Sequence, residues 1–202
     1  STLQEFNGPL LHALSAQAIR KMSDFAPQHL SNTSWSFARL ECGNRPLLDA
    51  IAASAIRSIS EFYAQSISST AWSFAALHVS HAPLLQALAS SAIRQLSDFR
   101  PQALVNTAWS YARLAVRDGP LLAAISAASI PRMSEFRLQE MMNTAWAYSG
   151  MEGLNRPLLD ALAESARAML AASREGRLET LGSTFGEIRS GVLGLVEAFA
   201  TA

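Results

Sequence analysis

The sequence predicts an all-α protein, a right-handed α-solenoid of stacked antiparallel helix hairpins, on three observations. The first is a period: Trp35, Trp72, Trp109 and Trp146 recur every 37 residues without insertion. Pro9, Pro46, Pro83, Pro120 and Pro157 keep the same step, as do Phe25, Phe62, Phe99 and Phe136. The second is that each period holds two apolar runs at helical spacing, separated by a polar loop. The third is that these loops are short, which makes the paired helices antiparallel neighbours. One such hairpin has too little apolar face to bury alone, whereas stacked copies share a continuous core.

Taken in order, residues 1–23 are expected to hold an orphan second helix, and four full units follow over 24–171, all within one solenoid spanning 1–202. In the first full unit the first helix runs from Pro27 to Leu40, with proline in the first turn, where no intrahelical donor is needed. Leu30, Ser34, Phe37 and Leu40 mark its buried face, and the loop ECGN ends it. The second helix starts at Pro46, carries Leu47, Leu48, Ile51, Ala55 and Ile59 inward and ends near Ser60. Residues 172–202 read as a degenerate capping hairpin. There Phe185, Ile188 and Leu195 keep the positions of Phe37, Leu40 and Leu47, while Ser183 replaces the tryptophan and Gly194 the proline.

Apolar residues make up 50% of the chain and charged residues 16%, below the roughly 25% of an ordinary soluble domain. Much surface is therefore expected to be covered, internally or by partners. Sixteen basic residues balance sixteen acidic ones, so no bulk field advertises nucleic acid or an anionic membrane. Lys21 is the only lysine, and the arginine fork suits phosphate, although a biased genome gives the same preference. A single cysteine, Cys42, excludes an intrachain disulfide. No apolar run is long enough for a membrane span. The start, STLQEFNGPL, has neither an initiator Met nor a signal-peptide pattern, as expected of a processed form or a piece of a longer chain.

The repeated helices PQxLxNTAW(S/A)(F/Y)ARL and PLLxAL, with their 37-residue period, resemble the heptatricopeptide repeats of protist organelles, close kin of the octotricopeptide repeats of algal plastids. The resemblance covers nearly the whole chain. It implies a non-enzymatic protein of an organelle, mitochondrion or plastid, that binds single-stranded RNA along the inner surface of the superhelix. Some relatives also carry a C-terminal RAP domain; nothing in this sequence is similar to one, so no nuclease role is carried over.

By that resemblance the first helices line the concave surface. Gln28, Asn32, Ser36 and Arg39 fall at spacings of four, four and three, on one face. Their counterparts are Gln65, Ser69 and Ser73, then Gln102, Asn106, Ser110 and Arg113, then Gln139 and Asn143. This stripe is the candidate RNA-binding surface. Asparagine is a poor helix-interior residue, so its recurrence needs a reason. One reading makes it a ligand contact; the other has the amides bridge neighbouring first helices and satisfy buried polar groups. Thr33, Thr70, Thr107 and Thr144 can bond the carbonyl four residues back.

Other recurrent positions carry weaker signals. The four tryptophans are expected to pack between repeats, with base stacking as the competing role. Arg20, Arg57 and Arg94 stand four residues before Asp24, Glu61 and Asp98 and are expected to form exposed ion pairs. A sequence-reading module needs positions that differ between units. His12, Asp49, Gln86 and Asp160 vary in this way, as do His29, Ser66, Ala103 and Glu140. They are candidate specificity positions or unconstrained surface. His78 and His81 lack further metal-ligand neighbours, and no nucleophile or phosphate-loop motif is present, so no cofactor, metal or catalytic residue is expected. Two functions stand: a non-enzymatic RNA-binding solenoid, as one member of a ribonucleoprotein, and a protein-binding scaffold of a large assembly.

Overall fold

Two local signals start the second helix of each full unit, a capping side chain and a proline two residues later. Asn44 Oδ1 accepts from the Leu47 N–H at 3.0 Å, and His81 Nδ1 accepts from Leu84 at 3.2 Å. Asp118 Oδ1 accepts from Leu121 at 2.9 Å, and Asn155 Oδ1 from Leu158 at 3.2 Å. Each fills one of the donors that a helix start leaves open. The proline sits where its missing N–H is no loss.

The computed structural model describes residues 2–149 and 155–174. Among these residues the chain forms nine α-helices: α1 (Thr2–Arg20), α2 (Pro27–Arg39), α3 (Arg45–Arg57), α4 (Ala64–Ala76), α5 (Ala82–Arg94), α6 (Pro101–Arg113), α7 (Gly119–Ser129), α8 (Leu138–Ser149) and α9 (Arg156–Arg174). Even-numbered helices are the first helices of the repeats, and odd-numbered ones the second. No strand occurs among the described residues. The expected capping hairpin lies, beyond Arg174, outside them.

Helix ends depart from the sequence expectation in three places. The second helices α1, α3, α5 and α7 stop short of Ser60 and its counterparts, and 3-10 turns follow them at Met22–Asp24, Ile59–Glu61, Leu96–Asp98 and Ile130–Glu135. The last turn is longer and holds Pro131, whose missing N–H ends the α-helical hydrogen-bond ladder. Helix α1 runs back through Pro9 to Thr2, whereas the later second helices start one residue before their prolines. First helices end one residue early, on left-handed residues: Glu41, His78 and Ala115 have φ of 53°, 55° and 55°. The next N–H, from Cys42, Val79 or Val116, then reaches back to Phe37, Phe74 or Tyr111 at 2.9 Å. Glycine ordinarily takes this position, and its absence hid the motif from sequence. The turn swings Leu40 out of the core, where it is exposed. Ile59, placed in a 3-10 turn, is only half-buried.

Packing follows an i, i+2 order. Successive first helices, α2 to α4 to α6 to α8, make the most extensive contacts, and the second helices stack on one another in the same order. Leu30, Ile67, Leu104 and Met141 from one layer meet the PLL leucines of the other in a continuous core. Small side chains form the seam between first helices. On α2, the foremost of the described first helices, His29 and Ser36 are exposed; the same positions on α4, Ser66 and Ser73, are buried along with Thr70. The Ser66 and Thr70 hydroxyls have no hydrogen-bond partner there, whereas Thr107 and Thr144 bond the carbonyls of Ala103 and Glu140 at 2.8 and 2.7 Å.

Hydrogen bonds spaced by one period tie unit to unit. The Tyr111 hydroxyl donates to the Leu85 carbonyl at 2.5 Å and Tyr148 to Leu122 at 2.6 Å. Gln95 Nε2 donates to the Phe62 carbonyl at 2.9 Å, and in the next unit Arg132 reaches Phe99 at 2.7 Å. Arg132 also pairs with Glu135 at 2.9 Å, and that hydrogen bond holds the Glu135 carboxyl below its usual range.

Candidate nucleic-acid interface

An α-helix advances about 100° per residue, so each four-residue step overshoots one turn by about 40°. Two such steps carry Ser36 round toward the flank of the helix. A step of three from Asn32 instead brings Trp35 back onto the stripe. The structure shows the result as an open groove of about 840 Å³ across α2, α4 and α6. Asn32, Trp35 and Arg39 line it from α2, Gln65, Ser69 and Trp72 from α4, and Gln102 and Asn106 from α6; Tyr63, Asp98 and Arg100 stand at its rim.

The predicted stripe is thus brought together in part. Ser73 and Ser110 are corrections: they are buried in the seam between first helices, where their hydroxyls donate to the carbonyls of Ser69 and Asn106 at 2.6 and 2.5 Å. Ser36 makes the same bond to Asn32 at 2.8 Å but is exposed. Gln28 is exposed outside the groove lining. Arg113 lies outside it too, with its guanidinium 2.7 Å from His78 Nε2 in the preceding unit. Since a guanidinium only donates, His78 Nε2 is the acceptor of this contact. Further along, Gln139 Nε2 donates to Asn143 Oδ1 at 3.0 Å within α8.

The asparagines do not bridge neighbouring first helices. Among the described residues no hydrogen bond joins the Asn32 or Asn106 amide to another group, and Asn143 is held within its own helix. Two amides, of Asn32 and Asn106, lining the groove without protein partners answer the propensity puzzle differently: their hydrogen-bonding capacity is left open to whatever lies there.

The tryptophans correct the sequence reading as well. None belongs to the buried core; Trp35 is 47% and Trp146 48% exposed, with Trp72 and Trp109 half-buried. Trp109 and Trp146 do touch across a repeat, 6.1 Å between ring centroids. Inter-repeat contact and an open ring face therefore coexist. The Arg39 guanidinium lies 5.9 Å from the Trp35 ring centroid, near enough for a cation–π attraction. Aromatic faces, open amides and guanidinium groups along one channel are what single-stranded nucleic acid takes: rings stack bases, amides meet base edges and arginines meet phosphates. The sequence signal that would have found this is the position of the tryptophan three residues after asparagine, on the same stripe.

Of the candidate specificity residues, His12, Asp49, Gln86 and Asp160 are exposed on second helices and none lines the groove. Asp49 is held by Arg45 at 3.0 Å. His29 and Glu140 cap first helices, accepting from the N–H of Ala26 at 3.1 Å and of Arg137 at 2.7 Å. The expected Arg20, Arg57 and Arg94 ion pairs with Asp24, Glu61 and Asp98 do not form among the described residues. The 3-10 turns carry these acids off the helical i+4 position. No group of potential metal ligands assembles among the described residues, and no helix there is long and apolar enough to cross a membrane.

Residues 5–152 match the model of a protein family described as RNA-editing substrate-binding complex 6 protein (RESC6). That family is not one named for heptatricopeptide or octotricopeptide repeats. No curated protein matches the chain.

Proposed function

The chain belongs to the RNA-editing substrate-binding complex 6 protein family, and from that premise we propose that it is a non-catalytic subunit of an RNA-editing substrate-binding complex that holds single-stranded RNA along the groove of its first helices. Residence in an organelle, the mitochondrion, and association with protein partners in the same complex are parts of this reading. So is the view of residues 1–202 as one solenoid of four full repeats with a hairpin cap over 172–202.

The observation that carries the proposal is the coincidence, in one groove, of half-exposed tryptophans with asparagine amides that no protein group engages. Stacking is indifferent to base identity. With few basic residues in the lining, Arg39 and Arg100 against Asp98, the groove suits RNA held by bases more than by phosphates. An anisotropy titration with a labelled single-stranded RNA tests it. Each base–ring stack is worth about 1–3 kcal/mol, so Trp35→Ala/Trp72→Ala is expected to weaken binding at least about tenfold with helical content unchanged. Wild-type affinity in that variant would remove the groove from RNA binding.

Zero net charge favours a second reading, a scaffold that binds protein along the same groove. It predicts loss of a protein partner, and no change toward RNA, in the same variant.

A further inference from the structure

A surface that reads sequence needs positions that differ from unit to unit, and the groove wall holds one. The residue just before each first helix is Ala26, Tyr63, Arg100 and Arg137 in turn, and of these Tyr63 and Arg100 line the groove. Two residues earlier every unit has an acid: Asp24, Glu61, Asp98 and Glu135.

Local backbone geometry sets the acid and the varying residue side by side. Asp98 closes a 3-10 turn, and Phe99 and Arg100 after it are extended, with ψ of 125° and 160°. Side chains alternate along extended chain, so Phe99 enters the core, 1% exposed, while Asp98 and Arg100 both face outward. Two extended steps put their backbones about 7 Å apart. Neither charge forms an ion pair among the described residues, and Asp98 accepts only from the Ser97 hydroxyl, at 3.4 Å. The other units differ. Asp24 and Glu61 are followed by Ala26 and Tyr63, which carry no cation, and Arg132 occupies the Glu135 carboxylate at 2.9 Å. An unengaged carboxylate beside an unengaged guanidinium therefore marks the start of α6, on the groove.

A carboxylate only accepts and a guanidinium only donates. Among the RNA bases, guanine alone places two adjacent donors, N1–H and N2–H, on one edge and two acceptors, O6 and N7, on the next. The first edge matches a carboxylate and the second a guanidinium fork. Uracil, cytosine and adenine set an acceptor beside the donor that a carboxylate would take. Tyr63 and Trp72 line the same groove, where a ring can hold the face of an unstacked base and leave its edges to side chains.

We propose that Asp98 and Arg100 form a guanine-reading pair, which gives an otherwise base-indifferent stacking groove one selective position. The proposal rests on the reading that this groove holds single-stranded RNA.

The probes are labelled oligouridine and the same strand with one central guanosine, titrated against the whole chain by anisotropy. A bidentate base contact discriminates by about fivefold or more, so the guanosine strand is expected to bind tighter by at least that factor. Inosine, which lacks the N2 donor, should lose most of the advantage. Arg100→Lys keeps the charge without the fork, and Asp98→Asn keeps the shape without the second acceptor oxygen. Each is expected to abolish the preference while oligouridine binding is retained. A preference that survives either substitution, or tryptophan-dependent binding that ignores guanosine, would overturn the pair and leave the groove reading standing. Absence of binding to both strands, or binding that Trp35→Ala/Trp72→Ala leaves unchanged, would overturn the groove reading and the pair with it.

Discussion

The indole rings of Trp109 and Trp146 lie 6.1 Å apart at a 36° tilt, on first helices one repeat apart, and neither ring is in the buried core. A ring in this position does two things, bracing its neighbour across the repeat and keeping part of its own surface open. Truncation of a fully buried aromatic costs about 3–5 kcal/mol. Trp146→Ala is expected to cost less, about 1–2 kcal/mol, combining a lost ring pair with partial burial. Chemical denaturation measures it; a loss at the fully buried level would return the ring to the core.

The buried tyrosines bear on stability at high pH. Burial, assisted by the Asp118 carboxylate, raises the Tyr111 phenol above its ordinary value, and burial alone does so for Tyr148. A folded value raised above the unfolded one means that the folded state holds the proton more tightly. The contribution is complete below about pH 10, the ordinary phenol value, and declines as pH rises beyond it. Tyr111→Phe/Tyr148→Phe should lose about 1 kcal/mol per hydrogen bond at pH 7 and show a flatter decline above pH 10. Parallel curves for both proteins would contradict the account.

Gln95 and Arg132 occupy corresponding positions and reach the Phe62 and Phe99 carbonyls from different side chains. What the position needs is a donor of sufficient reach. Arg132→Gln is therefore expected to stay within about 0.5 kcal/mol of wild type, while Arg132→Ala loses about 1 kcal/mol. Equal effects of the two substitutions in thermal melts would assign the bond no role.

Ala115 takes a left-handed conformation, φ 55°, to end α6. An L-residue there costs about 1–2 kcal/mol, which glycine avoids. After the added freedom of the unfolded chain is set against it, Ala115→Gly is expected to raise stability by about 0.5–1 kcal/mol. A lowered melting temperature would show that the turn is not strained.

What the sequence made legible was whatever repeats as a hydrophobic or capping pattern. The two-layer stack follows from the period, and Leu30, Leu47, Leu48 and Ile51 lie in the core as expected. The ends of the first helices were hidden because Glu41, His78 and Ala115 stand where glycine is the usual mark. In the candidate site, Asn32, Arg39, Gln65, Ser69, Gln102 and Asn106, which the spacing puts on one stripe, line one groove. Ser73 and Ser110 were misplaced because a four-residue step drifts around the helix, a small angle that decides between groove and seam. The tryptophans were read in part. Identical aromatics at identical positions look like inter-repeat packing, which Trp109 and Trp146 show, and the repeat does not reveal how much of each ring stays open.

The central claim is that RNA runs along the first-helix groove. Photo-crosslinking of a 4-thiouridine-labelled single-stranded RNA to the chain, followed by peptide mapping, tests it most directly. Adducts are expected on the segments of α2, α4 and α6 that carry Trp35, Trp72 and Trp109, and they should disappear under competition by unlabelled RNA. Competable adducts confined to the exposed faces of the second helices, or none at saturating RNA, would contradict the claim.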